Sequence, residues 1–258
     1  MTTFTDKTRQ LPEVVQEAIS KGRSMSYSQA GTWHDCPLQG KFERIDKIKV
    51  PVAEPILHGN LFDAYCEGDE PDLTGINPRD AEIIQRRSLE YQKTIDTLMP
   101  DGGLRLMQYP VYAPLSGGWF SYGFLDDLLL YGDKSPFMVI DRKFSKAPWA
   151  DTKVKYYYKQ GQNYLWGLAQ MGILLTEFTF LVMNLQAEGV QSFTYKPRKS
   201  TVKKIGSWLQ KAVDIKRSGL YPPTGGRHCG ICNYRPPQNG GTGDCDRYLY
   251  SHLTSEDS

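Results

Sequence analysis

The sequence lacks the long apolar segments of a secreted or membrane protein. Its opening, MTTFTDKTRQLPEVVQ, contains no apolar stretch of signal-peptide length, and the richest apolar run, GILLTEFTFLVMNL, is interrupted by Glu177. A membrane-spanning helix needs about 20 predominantly apolar residues. We therefore expect a soluble, cytoplasmic protein with no membrane partner.

Cysteine and net charge are also scarce. The chain has five cysteines, an odd number, in 258 residues. Without a signal segment, this number argues against a framework of disulfides and favours metal binding or free thiols. The formal net charge is only +2, so a surface for nucleic acid would have to come from local clusters of basic residues.

Apolar residues, by contrast, are abundant enough for a sizeable core. They make up 40% of the chain, and aromatic residues make up 12%, as in folded globular proteins. The length suits one large domain with terminal additions. We predict an N-terminal extension at 1–25, a helical part at 26–100, the domain core at 101–220 and a cysteine-containing region at 221–258.

The order of helices and strands indicates a mixed sheet. Ser28 is expected to cap a helix that runs to about Glu43, and Pro78 to open a second, longer helix. Three strands follow in LRLMQYPVYAPL, WFSYGFLDDLLLY and PFMVIDRKF, then a helix at 152–171, one or two strands in TEFTFLVMNL and VQSFTYK, and a basic helix at 201–218. This order predicts an α/β or α+β fold with a mixed central sheet flanked by helices.

The third of these strands ends in charged residues. Because side chains alternate along a strand, Asp141 and Lys143 share one face and Arg142 points to the other. The preceding strand carries Asp126 and Asp127, and two convergent carboxylates with a nearby ammonium suit metal-assisted phosphodiester hydrolysis with Mg²⁺ or Mn²⁺. A DxK tripeptide by itself is more often a surface ion pair, so the pattern alone leaves both interpretations open.

The wider context of this strand resembles the PD-(D/E)xK nuclease superfamily, in its RecB-like branch. The resemblance rests on GFLD at 123–126, VIDRK at 139–143 and a helix that carries Gln160 and Tyr164 four residues apart. It implies a restriction-endonuclease-like core and a Mg²⁺- or Mn²⁺-dependent exonuclease acting on single-stranded DNA or DNA ends. The catalytic residues that it implies are Asp126, Asp141, Lys143, Gln160 and Tyr164, with the backbone carbonyl of Arg142 as a further metal ligand.

The superfamily also has an upstream helix with G-x-x-x-H, whose histidine can bind the metal. The corresponding stretch here resembles the segment from Gly59 to Asp63, with an aspartate in place of the histidine and His58 nearby. An aspartate is a competent oxygen ligand. Asp63 as a metal ligand and Asp63 as an ordinary exposed acid of a helix both stay open.

Four of the cysteines could form one site. Cys229, Cys232 and Cys245 lie in a Gly/Pro-rich region and Cys36 lies far upstream, a set that fits zinc or an iron–sulfur cluster. The segment SYSQAGTWHDCPLQGKF resembles the opening of the RecB-like nucleases that include AddB and the CRISPR-associated cysteine-cluster exonucleases. That resemblance implies a structural four-iron four-sulfur (4Fe-4S) cluster in these four cysteines, with zinc as the alternative. Cys66 fits no motif and is expected to be a buried apolar residue.

Basic residues cluster just after the DxK strand. Residues 142–159 carry six basic side chains and one acid, a local charge of +5, with tyrosines among them. Cations beside aromatic rings are what single-stranded DNA requires. The predicted DNA-binding residues are Lys146, Lys153, Lys155, Tyr157 and Lys159. A second basic run, from Lys196 to Lys204, fits a solvated face slightly better.

Two other functions stay open. A nuclease fold without catalytic activity could bind DNA or assemble with proteins of recombination, replication or CRISPR adaptation, although the complete set of candidate catalytic residues argues against this. A zinc-stabilised interaction module would explain the cysteines and leave the acids unexplained. A metal-dependent cleavage assay distinguishes the nuclease from both.

Overall fold

The computed structural model describes residues 8–226, 229, 232–235 and 241–245. The predicted extension at 1–25 and the predicted cysteine-containing region at 221–258 are therefore described only in part. The other residues of these two segments, including 1–7, 236–240 and 246–258, lie outside the described residues.

Seven α-helices lie in the described part of the chain. From Pro78 onward the element order agrees with the predicted one, and Pro78 opens the longest helix, as expected. The helices are α1 (Glu13–Ser20), α2 (Tyr27–Asp35), α3 (Pro37–Arg44), α4 (Glu54–Glu67), α5 (Pro78–Leu98), α6 (Asp151–Gln170) and α7 (Lys199–Arg217).

Six strands form one mixed sheet, which confirms the predicted fold class. They are β1 (Ser24–Met25), β2 (Leu104–Leu115), β3 (Trp119–Leu130), β4 (Pro136–Ser145), β5 (Phe178–Asn184) and β6 (Gln191–Tyr195). The order is β1-β3-β4-β5-β6, and β2 also pairs with β3. The β2–β3, β3–β4 and β5–β6 pairs are antiparallel. The β4–β5 pair is parallel, because the connection through α6 returns the chain to the same end of the sheet.

The helix predicted from Ser28 to Glu43 is wrong in its start and in its continuity. The cap is Ser26, whose side chain accepts a hydrogen bond from the backbone of Gln29, while the Gln29 side chain accepts one from the Ser26 backbone. The helix then breaks at Cys36, which is extended with φ −154°, and α3 begins at Pro37. A proline disfavours helical geometry in the residue before it, so one predicted helix becomes two.

The sheet is covered by helices on both faces. On one face, α6 packs Leu165 and Leu168 against Val139 of β4. On the other, α4 and α5 pack Phe62 and other apolar side chains against Ile140. The strand β4 therefore has buried apolar residues on both of its faces, and its charged end follows directly from this core.

Two glycines let α6 lie close to the strands. A Cβ atom added at Gly161 would come within 2.1 Å of the Phe178 ring, and one at Gly167 within 2.3 Å of Val111. Such distances are far below a normal contact of about 3.5–4.0 Å. The helix segment that carries Gln160 and Tyr164 can therefore approach the sheet only because position 161 has no side chain.

The described chain divides into two compact units. One consists of the chain up to Ser24 together with Val52–Gly206 and contains most of the sheet; the other consists of Met25–Pro51 and the chain from Ser207 onward. In the second unit, His34 stacks on Trp208, and its Nε2 lies 2.9 Å from the Trp208 carbonyl oxygen. In the part of the chain that is described, no helix is both long and apolar enough to cross a membrane.

Candidate active site

The register between β3 and β4 places Asp126 beside Asp141. Asp127 pairs with Ile140 in the antiparallel ladder, so the preceding residue of β3 comes opposite the following residue of β4. The Oδ2 atom of Asp126 accepts a hydrogen bond of 2.9 Å from the backbone N–H of Arg142. The two aspartates predicted to share a metal therefore lie next to each other.

Asp141 is bound by residues from its own strand and from α6. The Lys143 Nζ lies 2.5 Å from Asp141 Oδ2. The amide of Gln160 donates to Asp141 Oδ1 at 3.0 Å and to the Tyr164 hydroxyl oxygen at 3.1 Å. The structure thus brings together all five predicted catalytic residues, and Asp141 and Lys143 share one face of β4, as predicted.

The environment of Asp141 disfavours its charge. Burial raises the pKa of its carboxyl; Lys143 lowers it, Asp126 and Asp63 raise it, and the result is about 7. Burial lowers the pKa of Lys143, but Asp141 and Asp126 more than offset this, so that it is raised overall. The site therefore contains more negative charge than its one ammonium balances, which favours the binding of a cation.

The Oδ2 atom of Asp141 accepts few hydrogen bonds for a buried carboxylate oxygen. It is buried, and apart from its ion pair with Lys143 it forms no hydrogen bond with any described residue. A buried carboxylate oxygen normally accepts several hydrogen bonds, so this atom has lone pairs to spare. Together with Asp126 it offers hard oxygen ligands of the kind that Mg²⁺ and Mn²⁺ take. These residues therefore fit a divalent metal.

Asp63, on α4, is oriented by Arg142. Its Oδ1 lies 2.8 Å from Arg142 Nε. Burial raises the pKa of Asp63 to about 6, and the charge of Asp126 is the next cause, but carboxylate oxygens of Asp63, Asp126 and Asp141 do not all lie within 4.8 Å of one another. Its side chain nevertheless keeps 47% exposure, so solvent screening weakens the shift. Asp63 therefore lies at the rim of the carboxylate group with its charge partly compensated.

Arg142 points to the opposite face of β4, as predicted, but it is not a surface residue. Its side chain is fully buried and forms ion pairs with Asp63 and Glu67, and Asp127 lies 3.9 Å away. Asp127 in turn accepts hydrogen bonds from Tyr91 and Arg105. Asp127 thus belongs to a structural network, whereas its neighbour Asp126 belongs to the candidate active site.

A histidine and two acids form a separate group at the starts of α4 and α5. Glu54, His58 and Asp80 together offer three ligand atoms and could hold a divalent metal. The sequence alone gave little indication of this group, because Asp80 is 22 residues beyond His58. The only local signal was the spacing of Glu54 and His58, which are one helical turn apart.

The four cysteines predicted to form a cluster all lie in the second unit. Cys36 is buried between α2 and α3, and the other three are half-buried. Burial raises the pKa of the Cys232 thiol, and Cys245, Cys36 and Cys229 raise it further. Among the described residues, however, no three of the sulfur atoms lie within 4.8 Å of one another. Cys66 is buried in the apolar core between α4 and α5, as expected.

The basic segment after β4 is less uniform than its sequence suggests. Arg142 and Lys143 are engaged in ion pairs, whereas Lys146, Lys153, Lys155 and Lys159 are exposed. Tyr157 stacks on Trp149 at 4.5 Å and belongs partly to the core. The exposed ring is Tyr156, with 80% of its surface accessible. The aromatic residue best placed for a base is therefore Tyr156, one position from the predicted Tyr157.

Comparison by sequence matches the chain to no protein family and to no curated protein. Comparison of structures finds a protein from Eubacterium rectale that is named as an exonuclease with its activity still unproven. Its sequence identity is 16% and its TM-score is 0.55. The match covers 84% of this chain and 90% of that one. The structure named SSO0001 has 12% identity and a TM-score of 0.47, over 86% and 90%. The first of these likenesses shows a shared fold.

Proposed function

We propose that the protein is a Mg²⁺- or Mn²⁺-dependent deoxyribonuclease of the RecB-like type that acts as an exonuclease on single-stranded DNA or DNA ends. One observation carries the proposal: the buried Asp141 oxygen, which has lone pairs to spare, lies beside Asp126 and Lys143, with Gln160 holding the other oxygen. The name of the structural neighbour from Eubacterium rectale agrees with an exonuclease.

In this proposal each residue has a separate role. Asp126, Asp141 and the backbone carbonyl of Arg142 would hold the metal, which when bound activates water and polarises the phosphate. Lys143 would offset the charge that develops on the scissile phosphate. Gln160 would orient the carboxylate of Asp141 by donating to its Oδ1, and Tyr164 is linked to Asp141 through Gln160.

Asp63 is proposed to complete the metal site from α4. It stands where the resemblance places a histidine, and it lies near enough to Asp126 and Asp141 for their charges to alter its pKa. Its ion pair with Arg142 also favours an alternative, a catalytically silent fold that binds DNA or a partner, because a carboxylate occupied by a guanidinium binds metal less well. The cleavage assay below distinguishes the two.

DNA is proposed to lie along the exposed side of the first turns of α6. Lys153, Lys155 and Lys159 project there together with Tyr156, and Lys146 precedes them at the end of β4. Phosphates would contact the lysines and a base would stack on the tyrosine. Association with proteins of recombination, replication or CRISPR adaptation stays a prediction.

The four-cysteine site is proposed to hold a structural 4Fe-4S cluster. Thiolates around one zinc ion at about 2.3 Å would lie about 3.8 Å apart, whereas no three of these sulfurs lie within 4.8 Å. These positions support neither metal, so the proposal rests on the resemblance of the sequence around Cys36 and on the spacing of Cys229 and Cys232. Protein purified without oxygen should contain iron and acid-labile sulfide; stoichiometric zinc without sulfide would establish the alternative.

The test of the nuclease proposal is cleavage of end-labelled single- and double-stranded DNA with Mg²⁺, with Mn²⁺ and with EDTA. The matched pair of variants is Asp141→Asn and Asp96→Asn, the second at an exposed acid of α5. We expect cleavage by the parent and by Asp96→Asn with metal only. A folded parent that binds DNA and cleaves nothing would establish the catalytically silent alternative.

A further inference from the structure

The first turns of α4 and α5 bring one histidine and two carboxylates together outside the candidate active site. Glu54 and His58 are one turn apart on α4, and Asp80 lies in the first turn of α5. The His58 Nε2 lies 3.8 Å from Glu54 Oε1 and 3.6 Å from Asp80 Oδ2. All three ligand atoms lie within 4.8 Å of one another.

These distances fit ligands of one metal better than they fit hydrogen bonds. A hydrogen bond from nitrogen to oxygen is about 2.7–3.2 Å long, shorter than either contact. Nitrogen and oxygen ligands at about 2.1 Å from a tetrahedral ion lie about 3.4 Å apart. The two contacts of His58 are therefore close to the spacing of metal ligands, and the two carboxylate oxygens lie within 4.8 Å of each other.

The histidine is buried although its ring has polar atoms. His58 is only 6% exposed, and no residue in the described part of the chain forms a hydrogen bond of normal length with its ring. The ring nitrogens keep some contact with solvent through the pocket that His58 lines, so a cation from solution can reach them. Its ring nitrogen points at the two carboxylates, so a cation between the three groups would satisfy all of them.

The group has one side that is accessible. Glu54 and His58 line a pocket together with Pro55, Ser145 and Lys146. Three protein ligands with an open position are typical of metal sites that also bind water or another ligand, whereas closed structural sites have four. Lys146, which lines the same pocket, is exposed, and its ammonium would disfavour a second cation there.

We propose that Glu54, His58 and Asp80 form a second divalent-cation site, separate from the aspartates of β3 and β4. An imidazole with two carboxylates suits Mn²⁺ or Zn²⁺ better than Mg²⁺, which prefers oxygen ligands alone. Ser145, at the pocket, is four residues beyond Asp141, a distance of about 13 Å along a strand. The site would join α4 to α5, and the proposal does not depend on nuclease activity.

The probe is Mn²⁺, because thiolates bind it weakly and the four cysteines then do not interfere. Asp141→Asn serves as the background in order to weaken the first site. Free Mn²⁺ is measured by electron paramagnetic resonance during titration, and the thermal midpoint is recorded with and without the ion. To this background we add Glu54→Gln, Asp80→Asn or the control Glu82→Gln, which alters an exposed acid of α5.

We expect the background and its Glu82→Gln form to bind one Mn²⁺ and to gain about 5–10 °C in thermal midpoint at 100 times Kd. Glu54→Gln and Asp80→Asn should each weaken this binding at least about tenfold. Glu54 has a largely exposed side chain, so its replacement should leave the metal-free midpoint unchanged. Lys146→Ala should bind Mn²⁺ at least as tightly, because it removes a competing cation.

Two results would overturn the proposal. One is that the Asp141→Asn background shows no measurable Mn²⁺ binding in the titration. The other is equal Mn²⁺ affinity in Glu54→Gln, Asp80→Asn and Glu82→Gln. In either case the three residues would be an ion-pair contact between two helices and nothing more.

Discussion

The two faces of β4 both bury charge, but the atom that lacks a hydrogen bond is a guanidinium nitrogen on one face and a carboxylate oxygen on the other. On the face toward α4 and α5, Arg142 pairs with Asp63 and Glu67, and its Nη1, 3.9 Å from Asp127, is a cationic nitrogen that cannot bind a metal. On the face toward α6, the amide of Gln160 donates to Asp141 Oδ1, and Asp141 Oδ2 contacts only the ammonium of Lys143, which leaves this oxygen a lone pair. A buried charge surrounded by partners stabilises the fold, whereas a buried charge with free lone pairs can bind a ligand.

The comparison is tested most directly by replacing the carboxylate of Asp141. Asp141→Asn should reduce cleavage by more than about 10³-fold, because it removes a metal ligand, and Lys143→Ala should reduce it by about 10²–10³-fold. Single-turnover rates in saturating Mn²⁺ measure both effects. Folded Asp141→Asn protein that cleaves at the parent's rate would refute the assignment of this face.

On the other face the largest effect should fall on stability. Arg142→Ala leaves three carboxylates without their shared cation and should lower the free energy of unfolding by about 3–5 kcal/mol. Denaturant titration measures this change. The control is Arg86→Ala, an exposed arginine 3.8 Å from Glu188, for which about 0–1 kcal/mol is expected. Equal losses in the two variants would contradict the view of Arg142 as a buried structural cation.

How far the sequence predicts these faces depends on the range of the interactions. Alternation along a strand is local, so the opposite directions of Lys143 and Arg142 were predictable, and so were the bounds of β2, β3 and β4 to within a residue or so. The partners of Arg142 were not, because Asp63 and Glu67 are 79 and 75 positions away. Strand alternation alone also leaves open whether Asp126 or Asp127 faces Asp141; the resemblance selects Asp126, and the register of β3 on β4 places it there.

The packing of α6 explains why the exposed tyrosine could not be predicted. Three consecutive tyrosines on α6 cannot all face the same way, and the sequence did not show which would face the core. Tyr157 stacks on Trp149, which precedes the helix. Tyr158 stacks on Tyr195 of β6, with the ring centroids 3.9 Å apart. Tyr156 is left exposed. The choice depends on aromatic residues that are outside the helix and therefore outside any local pattern.

The pH dependence of the metal-free protein sharpens the comparison further. Burial raises the pKa of Asp141 to about 7, whereas an unfolded aspartate titrates near 3.9. Between these values the folded state binds more protons than the unfolded state, so stability should fall as pH rises. In EDTA, the thermal midpoint should be several degrees higher at pH 5 than at pH 8.

The control for this dependence is Asp141→Asn, whose amide does not titrate, and its midpoint should change less between the two pH values. Adding Mn²⁺ to the parent at pH 8 should raise its midpoint, since the cation replaces the lost protons. A parent and an Asp141→Asn variant with the same pH dependence would mean that Asp141 titrates normally in the folded protein.

The smallest effects are expected on DNA binding. Lys153→Ala or Lys155→Ala should each reduce the slope of log K against log salt for single-stranded DNA by about 0.7. Tyr156→Ala should weaken binding by about 1–3 kcal/mol through lost stacking. The control is Lys203→Ala, in the second basic run. Fluorescence anisotropy at several salt concentrations measures all four variants, and a slope that responds only to Lys203 would place the DNA on α7 instead.

Gly161 has no functional group, yet its lack of a side chain determines how closely α6 approaches the candidate active site. A methyl group there would meet the Phe178 ring at 2.1 Å, and relieving that clash would displace the helix by roughly 1.5 Å from the sheet. Misplacements of about 1 Å can cost about a hundredfold in rate. A Gly161→Ala change is therefore expected to impair the proposed cleavage while every candidate catalytic side chain is unchanged.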